Sequence, residues 1–224
     1  MKGGTWVDRG LYESYVAILE HELVPALGCT EPIAIAYASA RARKVLGCFP
    51  EHITARLSGN IIKNVKSVIV PNSRGHRGIE TAAVLGCVGG DADLQLAVLQ
   101  RVTDADIARA QELVQAGLCS TEYEEGRDNL YICIEMTAGD RSASVTVEYE
   151  HTNITRVEKD GKEIYRAETA KSDQPAVDKS LLSVRGILDF ANELALDDVR
   201  PTLRRQIDLN TAISEEGLGS ATKQ

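Results

Sequence analysis

Val157-Glu158-Lys159-Asp160-Gly161-Lys162-Glu163-Ile164-Tyr165 is two short runs joined by Asp-Gly, the pair best suited to a tight two-residue hairpin turn. Upstream, residues 130–137, 142–150 and 153–159 alternate and are rich in β-branched side chains. An antiparallel β-meander is therefore expected near 130–165. Helical periodicity flanks it on both sides, which predicts an α+β fold: helices with short strands in the N-terminal part, the meander, then C-terminal helices.

In residues 8–24, Leu11, Tyr12, Tyr15, Val16, Leu19 and Leu23 recur at three- and four-residue steps, the stripe of an amphipathic helix that Pro25 ends. After a break at 26–29, Thr30 is placed to cap a second helix, and Pro32 is tolerated in its first turn. That helix runs to about Leu46. Its alanine-dense stretch allows close packing against neighbours. Residues 52–57 and 65–70 read as strands, 71–78 as a loop and 79–87 as a small-residue helix broken at Gly89-Gly90. Thr103-Asp104-Ala105-Asp106 resembles a capping box, and Gly117 sits where a glycine cap would close that helix. From about Ala176 the pattern is helical again, with a further helix opening near Pro201 and ending around Gly217.

The 224 residues, 43% hydrophobic, suffice for a core filled by Leu, Ile, Val and Ala, since aromatic residues make up only 4%. Thirty-three acidic against 25 basic residues give a net charge of −8. That balance disfavours a grip on nucleic-acid phosphates or anionic lipid. No apolar run is long enough to span a membrane. The five cysteines, Cys29, Cys48, Cys87, Cys119 and Cys133, are scattered, with no C-x-x-C pair, so neither a disulfide framework nor a self-contained zinc site is expected. A reducing cytoplasm is the expected compartment.

Chemistry concentrates at Gly28-Cys29-Thr30-Glu31-Pro32. A cysteine just before a helix faces unpaired amides and the positive end of the helix dipole, which favour thiolate, the form that binds metal or attacks carbon. The plain alternative is a small buried hydrophobe. In Ser58-Gly59-Asn60-Ile61-Ile62-Lys63-Asn64, Asn60, Lys63 and Asn64 could share one side of a helical turn and meet a carboxylate or an enolate-like charge. The plainer reading is a polar turn whose asparagines satisfy their own backbone. His151, in His151-Thr152-Asn153-Ile154 between two strands, could be a base, a donor or a turn residue.

Together with Val70-Pro71-Asn72, these blocks resemble the iron-sulfur L-cysteine desulfidase family, which is related to the α-chain of iron-dependent L-serine dehydratases. The resemblance extends from near the N-terminus to Asn210-Thr211-Ala212-Ile213-Ser214-Glu215-Glu216-Gly217-Leu218. It implies a 4Fe-4S cluster on three cysteines with one iron open to substrate, a Lewis acid needing no pyridoxal phosphate. Cys29 matches the N-terminal metal ligand. The implied reaction removes the α-proton of L-cysteine or L-serine and expels sulfide or hydroxide, leading to pyruvate and ammonia.

Within that resemblance Asn60, Lys63 and Asn64 are assigned to the substrate carboxylate or amine, with Thr30, Glu31 and Asn72 also at the substrate, and Lys63 and His151 carry catalytic roles, His151 in proton transfer or positioning. Family members are about twice this length, and their other two cluster cysteines lie in a C-terminal half that this chain lacks. Residues 1–218 are thus expected to form the N-terminal region of such a lyase, and 219–224 a tail unlike the family. On this reading the chain holds an incomplete cluster or none, is inactive by itself, and works with a C-terminal half or partner chain; a homo-oligomer is compatible with it. The competing expectation is a non-catalytic domain for amino-acid binding or assembly.

Overall fold

A computed structural model describes residues 8–25, 28–167 and 177–221. Part of the break before Gly28, the expected helix start at Ala176 and the last residues of the tail lie outside them. The helices are α1 (Arg9–Glu22), α2 (Thr30–Leu46), α3 (Gly59–Val65), α4 (Ile79–Gly89), α5 (Asp104–Gln115), α6 (Val184–Glu193) and α7 (Leu196–Ala221). The strands are β1 (His52–Leu57), β2 (Cys119–Tyr123), β3 (Tyr131–Ala138), β4 (Arg141–Glu148), β5 (Ile154–Lys159) and β6 (Lys162–Arg166). The mixed α+β architecture is as the sequence predicts. The chain divides into two compact units, Ala26–Ser172 and a second formed by Met1–Pro25 with Asp173–Gln224.

The first unit is built on one sheet in the order β2-β1-β3-β4-β5-β6. Only β1 and β2 run parallel; the other neighbours are antiparallel. Asp160 and Gly161 turn the last hairpin with φ of 50° and 72°, the left-handed values that a two-residue turn requires. Alternation sends Ile53, Ala55 and Leu57, Ile132, Ile134 and Met136, and Ala143, Val145 and Val147 into one buried core. The opposite face is polar. There Arg56 bridges Glu122, at 2.9 Å, and Glu135.

Helix α2 lies in the core, buried without interruption from Pro32 to Ala40. Small side chains let α4 come against it: a Cβ on Gly86 would sit 2.3 Å from the Ala36 carbonyl oxygen. Ser39, buried, donates to the Ala83 carbonyl at 2.5 Å and so satisfies its hydroxyl at the same crossing. The capping box of Thr103 and Asp106 opens α5, and Gly117, at φ 79°, closes it.

Three local expectations are corrected, and one unforeseen strand is added. Residues 65–70 form no strand: Ser58 caps a short helix, its hydroxyl accepting from the Ile61 amide, and Ile61 and Val65, one turn apart, are its buried face. Only Ile69 keeps a β-bridge, to Arg77. Strand β2 was not evident because its five residues are half-buried or exposed. Cys29, rather than Thr30, is the N-cap of α2. Finally, α7 begins at Leu196, with Asp197 and Asp198 complementing the dipole, so Pro201 lies one turn inside it.

In the second unit, Phe190 packs on Tyr12 and Tyr15 with ring centroids 5.3 and 5.2 Å away. Both phenols are used: Tyr12 donates to Asp198 at 2.7 Å and Tyr15 to the Leu181 carbonyl at 3.0 Å.

Candidate functional site

The N-terminus of α2 gathers all four sequence blocks that pointed to chemistry. Gly28 takes φ +145°, a conformation that side chains disfavour, and a Cβ there would meet Pro71 at 3.2 Å. The Pro71 block therefore abuts the Cys29 block. Asn64 approaches from α3, and His151 from the connection between β4 and β5. That connection is tied at its base, where the Glu148 amide donates to the Asn153 carbonyl at 3.1 Å and the Asn153 side chain donates to the Glu148 carbonyl at 3.0 Å.

Glu31 is the centre of the group. It accepts from the Cys29 thiol at 3.1 Å, from the Thr30 hydroxyl at 3.4 Å and from the Asn64 amide at 3.4 Å. Thr30 Oγ1 also lies 3.1 Å from His151 Nε2. Glu31 occupies the first turn of α2, where the helix dipole favours its charge.

These contacts set the protonation states. Burial alone would raise the pKa of Glu31, but hydrogen bonds led by Cys29, with the charge of a protonated His151, leave it below the ordinary 4.5. Cys29 moves the other way: partial burial and then the Glu31 carboxylate hold its thiol above 9.0. The thiolate expected from the helix dipole is thus not favoured, because burial and, after it, a carboxylate two residues on override it. Burial lowers the pKa of His151 below 6.5, against the pull of Glu31 and Glu150, so the imidazole is neutral at pH 7.

The remaining candidates sit around this core. Asn60 and Lys63 are exposed on α3, Asn60 one turn before Asn64. Asn72, at φ 59°, gives its side-chain amide to the Leu99 carbonyl at 2.8 Å, an attachment that holds the loop after Pro71. Sequence reasoning missed that buttress and the direct Thr30–His151 contact. No local signal joins residues 121 positions apart.

Away from this group, a cavity of about 240 Å³ opens on the polar face of the sheet beside Tyr131, Glu148 and three guanidiniums. Those guanidiniums, Arg127, Arg156 and Arg166, are already paired with Glu124, Glu158 and Glu163.

The cysteine set tests the fit of a cluster. Cys29 is exposed at the site. Cys87 is buried and Cys119 half-buried, and burial pushes both thiols up to about 12. Cys133 belongs to the polar face of the sheet, in register with Arg56 and Thr146. Cys48 follows the far end of α2, roughly 25 Å away at 1.5 Å per residue. Among the described residues no three His, Cys, Asp or Glu side chains are gathered to hold a metal. Among the described residues Cys29 is thus the cysteine present at this site, and no metal-holding set accompanies it.

Fold and site define an α+β protein with a thiol, a carboxylate and an imidazole gathered at the start of a buried helix. Over 93% of its length, 208 residues, the chain is 48% identical to a protein of Lachnoclostridium phytofermentans described as "UPF0597 protein". Proteins of the same description from Treponema denticola and Finegoldia magna are 40% and 44% identical over 95% and 92% of the chain. In each case the match covers 50% of the relative, so the chain spans about half the length of the curated proteins it resembles. No family model matches the chain. No solved structure matches it either.

Proposed function

We propose that this chain is the Cys29-bearing half of an iron-sulfur-dependent lyase that eliminates sulfide from L-cysteine or water from L-serine. The observation that carries the reading is convergence: Gly28–Glu31, Asn64, Pro71 and His151, distant in sequence, meet at one helix end. Cys29 would be one ligand of a 4Fe-4S cluster, with the other ligands supplied from outside this chain. A cluster completed in that way would supply a Lewis-acidic iron for the leaving group.

The chain's own residues do the rest. His151, neutral at pH 7, can accept a proton at a ring nitrogen, and its contact with Thr30 Oγ1 fixes the imidazole. The Glu31 carboxylate is suited to the substrate ammonium, and it would compensate the positive charge that His151 gains. Asn60, Asn64 and Lys63 present amides and an ammonium on α3 for the substrate carboxylate. The five free cysteines suit a reducing cytoplasm. Among the described residues no helix is long and apolar enough to cross a membrane.

The half-length match favours a second reading, a non-catalytic domain that binds an amino acid or assembles with a partner. One experiment separates the two. Pyruvate release from L-cysteine and L-serine is assayed anaerobically, after iron and sulfide reconstitution, for this chain alone and for this chain joined to the unmatched half of the Lachnoclostridium relative. The lyase reading expects release from the joined protein only, abolished by Cys29→Ala. A joined protein that folds and binds L-cysteine without releasing pyruvate would establish the second reading.

A further inference from the structure

Beyond Leu203, α7 is a helix whose whole circumference meets water: every residue from 204 to 219 is exposed. Its side chains are nonetheless sorted by face. At about 100° per residue, Arg204, Arg205, Asp208, Glu215 and Glu216 fall within an arc of about 120°. The rest of the circumference between Leu203 and Gly217 carries no charge and includes Ile207, Leu209 and Ile213, which are 57%, 46% and 66% exposed. Gln206, Asn210, Thr211 and Ser214 share that arc, so it is uncharged rather than wholly apolar, and it leaves three large apolar side chains in water. A helical segment of roughly 15 residues is also marginal in water without a packing partner.

The apolar residues of α6 repeat the pattern. Val184, Ile187 and Leu188, at i, i+3 and i+4, are 78%, 47% and 56% exposed. Among the described residues of this unit, the buried hydrophobic side chains are Tyr15, Ile18, Phe190 and Val199. Its apolar content therefore exceeds what its own packing uses. The relatives supply an occupant of suitable size, since each carries about as much chain again outside the match.

We propose that the uncharged face of α7, which carries Ile207 and Ile213 on either side of Asn210, is the docking surface for the half of the fold that the relatives carry outside the match. The partner it fits is a helix-rich segment with an apolar face. Charged rims on that partner would meet Arg204, Arg205 and Glu215. The inference rests on the relationship to those relatives and not on the elimination chemistry.

The test is backbone hydrogen exchange over residues 204–217, read by mass spectrometry alongside light scattering. In this chain alone, the segment is expected to exchange close to the random-coil rate. When the chain is joined to the unmatched half of the Lachnoclostridium relative, exchange there should slow by about 100-fold or more. Ile207→Glu with Ile213→Glu should restore fast exchange in α7 while β3 and β4 stay protected. The full-length relative itself provides the same measurement should the joined protein not fold.

An unprotected segment in the complete protein overturns the proposal. So does protection in this chain alone, which in a monomer means that its own sheet unit covers α7 and in a dimer that a second copy does. A joined protein with a protected α7 and no lyase activity upholds the docking surface and counts against the proposed reaction.

Discussion

Thr30 Oγ1 and His151 Nε2 meet at 3.1 Å although 121 residues separate them. The contact ties the first turn of a core helix to a connection between two strands. It leaves one ring nitrogen of His151 engaged and the other free to vary with what binds.

If His151 is the base, His151→Ala in the complete lyase should lower kcat by about 10²- to 10⁴-fold, the usual range for a positioned proton-transfer group. Thr30→Val keeps the shape and removes the hydroxyl, so it should lower kcat by about tenfold with less effect on KM. Steady-state kinetics on L-cysteine and L-serine checks both, and full activity in His151→Ala would remove the residue from the mechanism.

Burial holds the pKa of His151 below 6.5 in the folded chain. As pH falls, the unfolded chain takes up this proton first, so the residue's contribution to stability is whole above about pH 6.5 and declines below it. Urea unfolding at about pH 7.5 and 5.5 should show lower stability in acid. His151→Gln should flatten that slope. Glu31, whose pKa is also lowered, contributes in a separate window that opens as pH drops below 4.5.

Glu31→Gln should make Cys29 more reactive. The carboxylate both accepts from the thiol and repels the thiolate, so its removal lowers the thiol pKa and speeds alkylation by iodoacetamide near pH 8. Peptide mapping by mass spectrometry isolates Cys29 from Cys87 and Cys119, whose raised pKa values keep them slow. An unchanged rate in Glu31→Gln would show that burial alone sets the thiol.

Gly86→Ala places a methyl against the Ala36 backbone, where no side chain can swing aside. The cost should reach or exceed about 1–3 kcal/mol, the range for overpacked cores, measured as a lower urea midpoint. Gly28→Ala combines a disfavoured φ with a contact on Pro71, and about 1–3 kcal/mol of backbone strain is expected there as well.

The elements that were legible in the sequence are those whose signals are local. Asp160-Gly161 demanded its hairpin, Thr103 and Asp106 their capping box, and the alanine run of α2 its burial. The misread elements obey longer-range rules. Residues 65–70 read as a strand from their β-branched side chains, yet Val65 closes α3 and only Ile69 keeps a bridge. Strand β2 exists because β1 offers a parallel edge, which no property of Cys119-Ser120-Thr121-Glu122-Tyr123 announces. The site was legible as residues and not as an arrangement. Cys29, Thr30, Glu31, Asn64 and His151 were each identified, but burial together with the carboxylate at their centre reversed the expected state of the thiol.

The crossing of Gly86 over Ala36 has a consequence for how this site can change over time. Backbone lies on backbone there, so sequence drift cannot adjust the spacing of α2 and α4 by exchanging one side chain for a slightly larger one. The helix that presents Cys29 is consequently seated by the main chain. Variation among the relatives is better sought in α3 and in the His151 connection, which reach the same point through replaceable side chains.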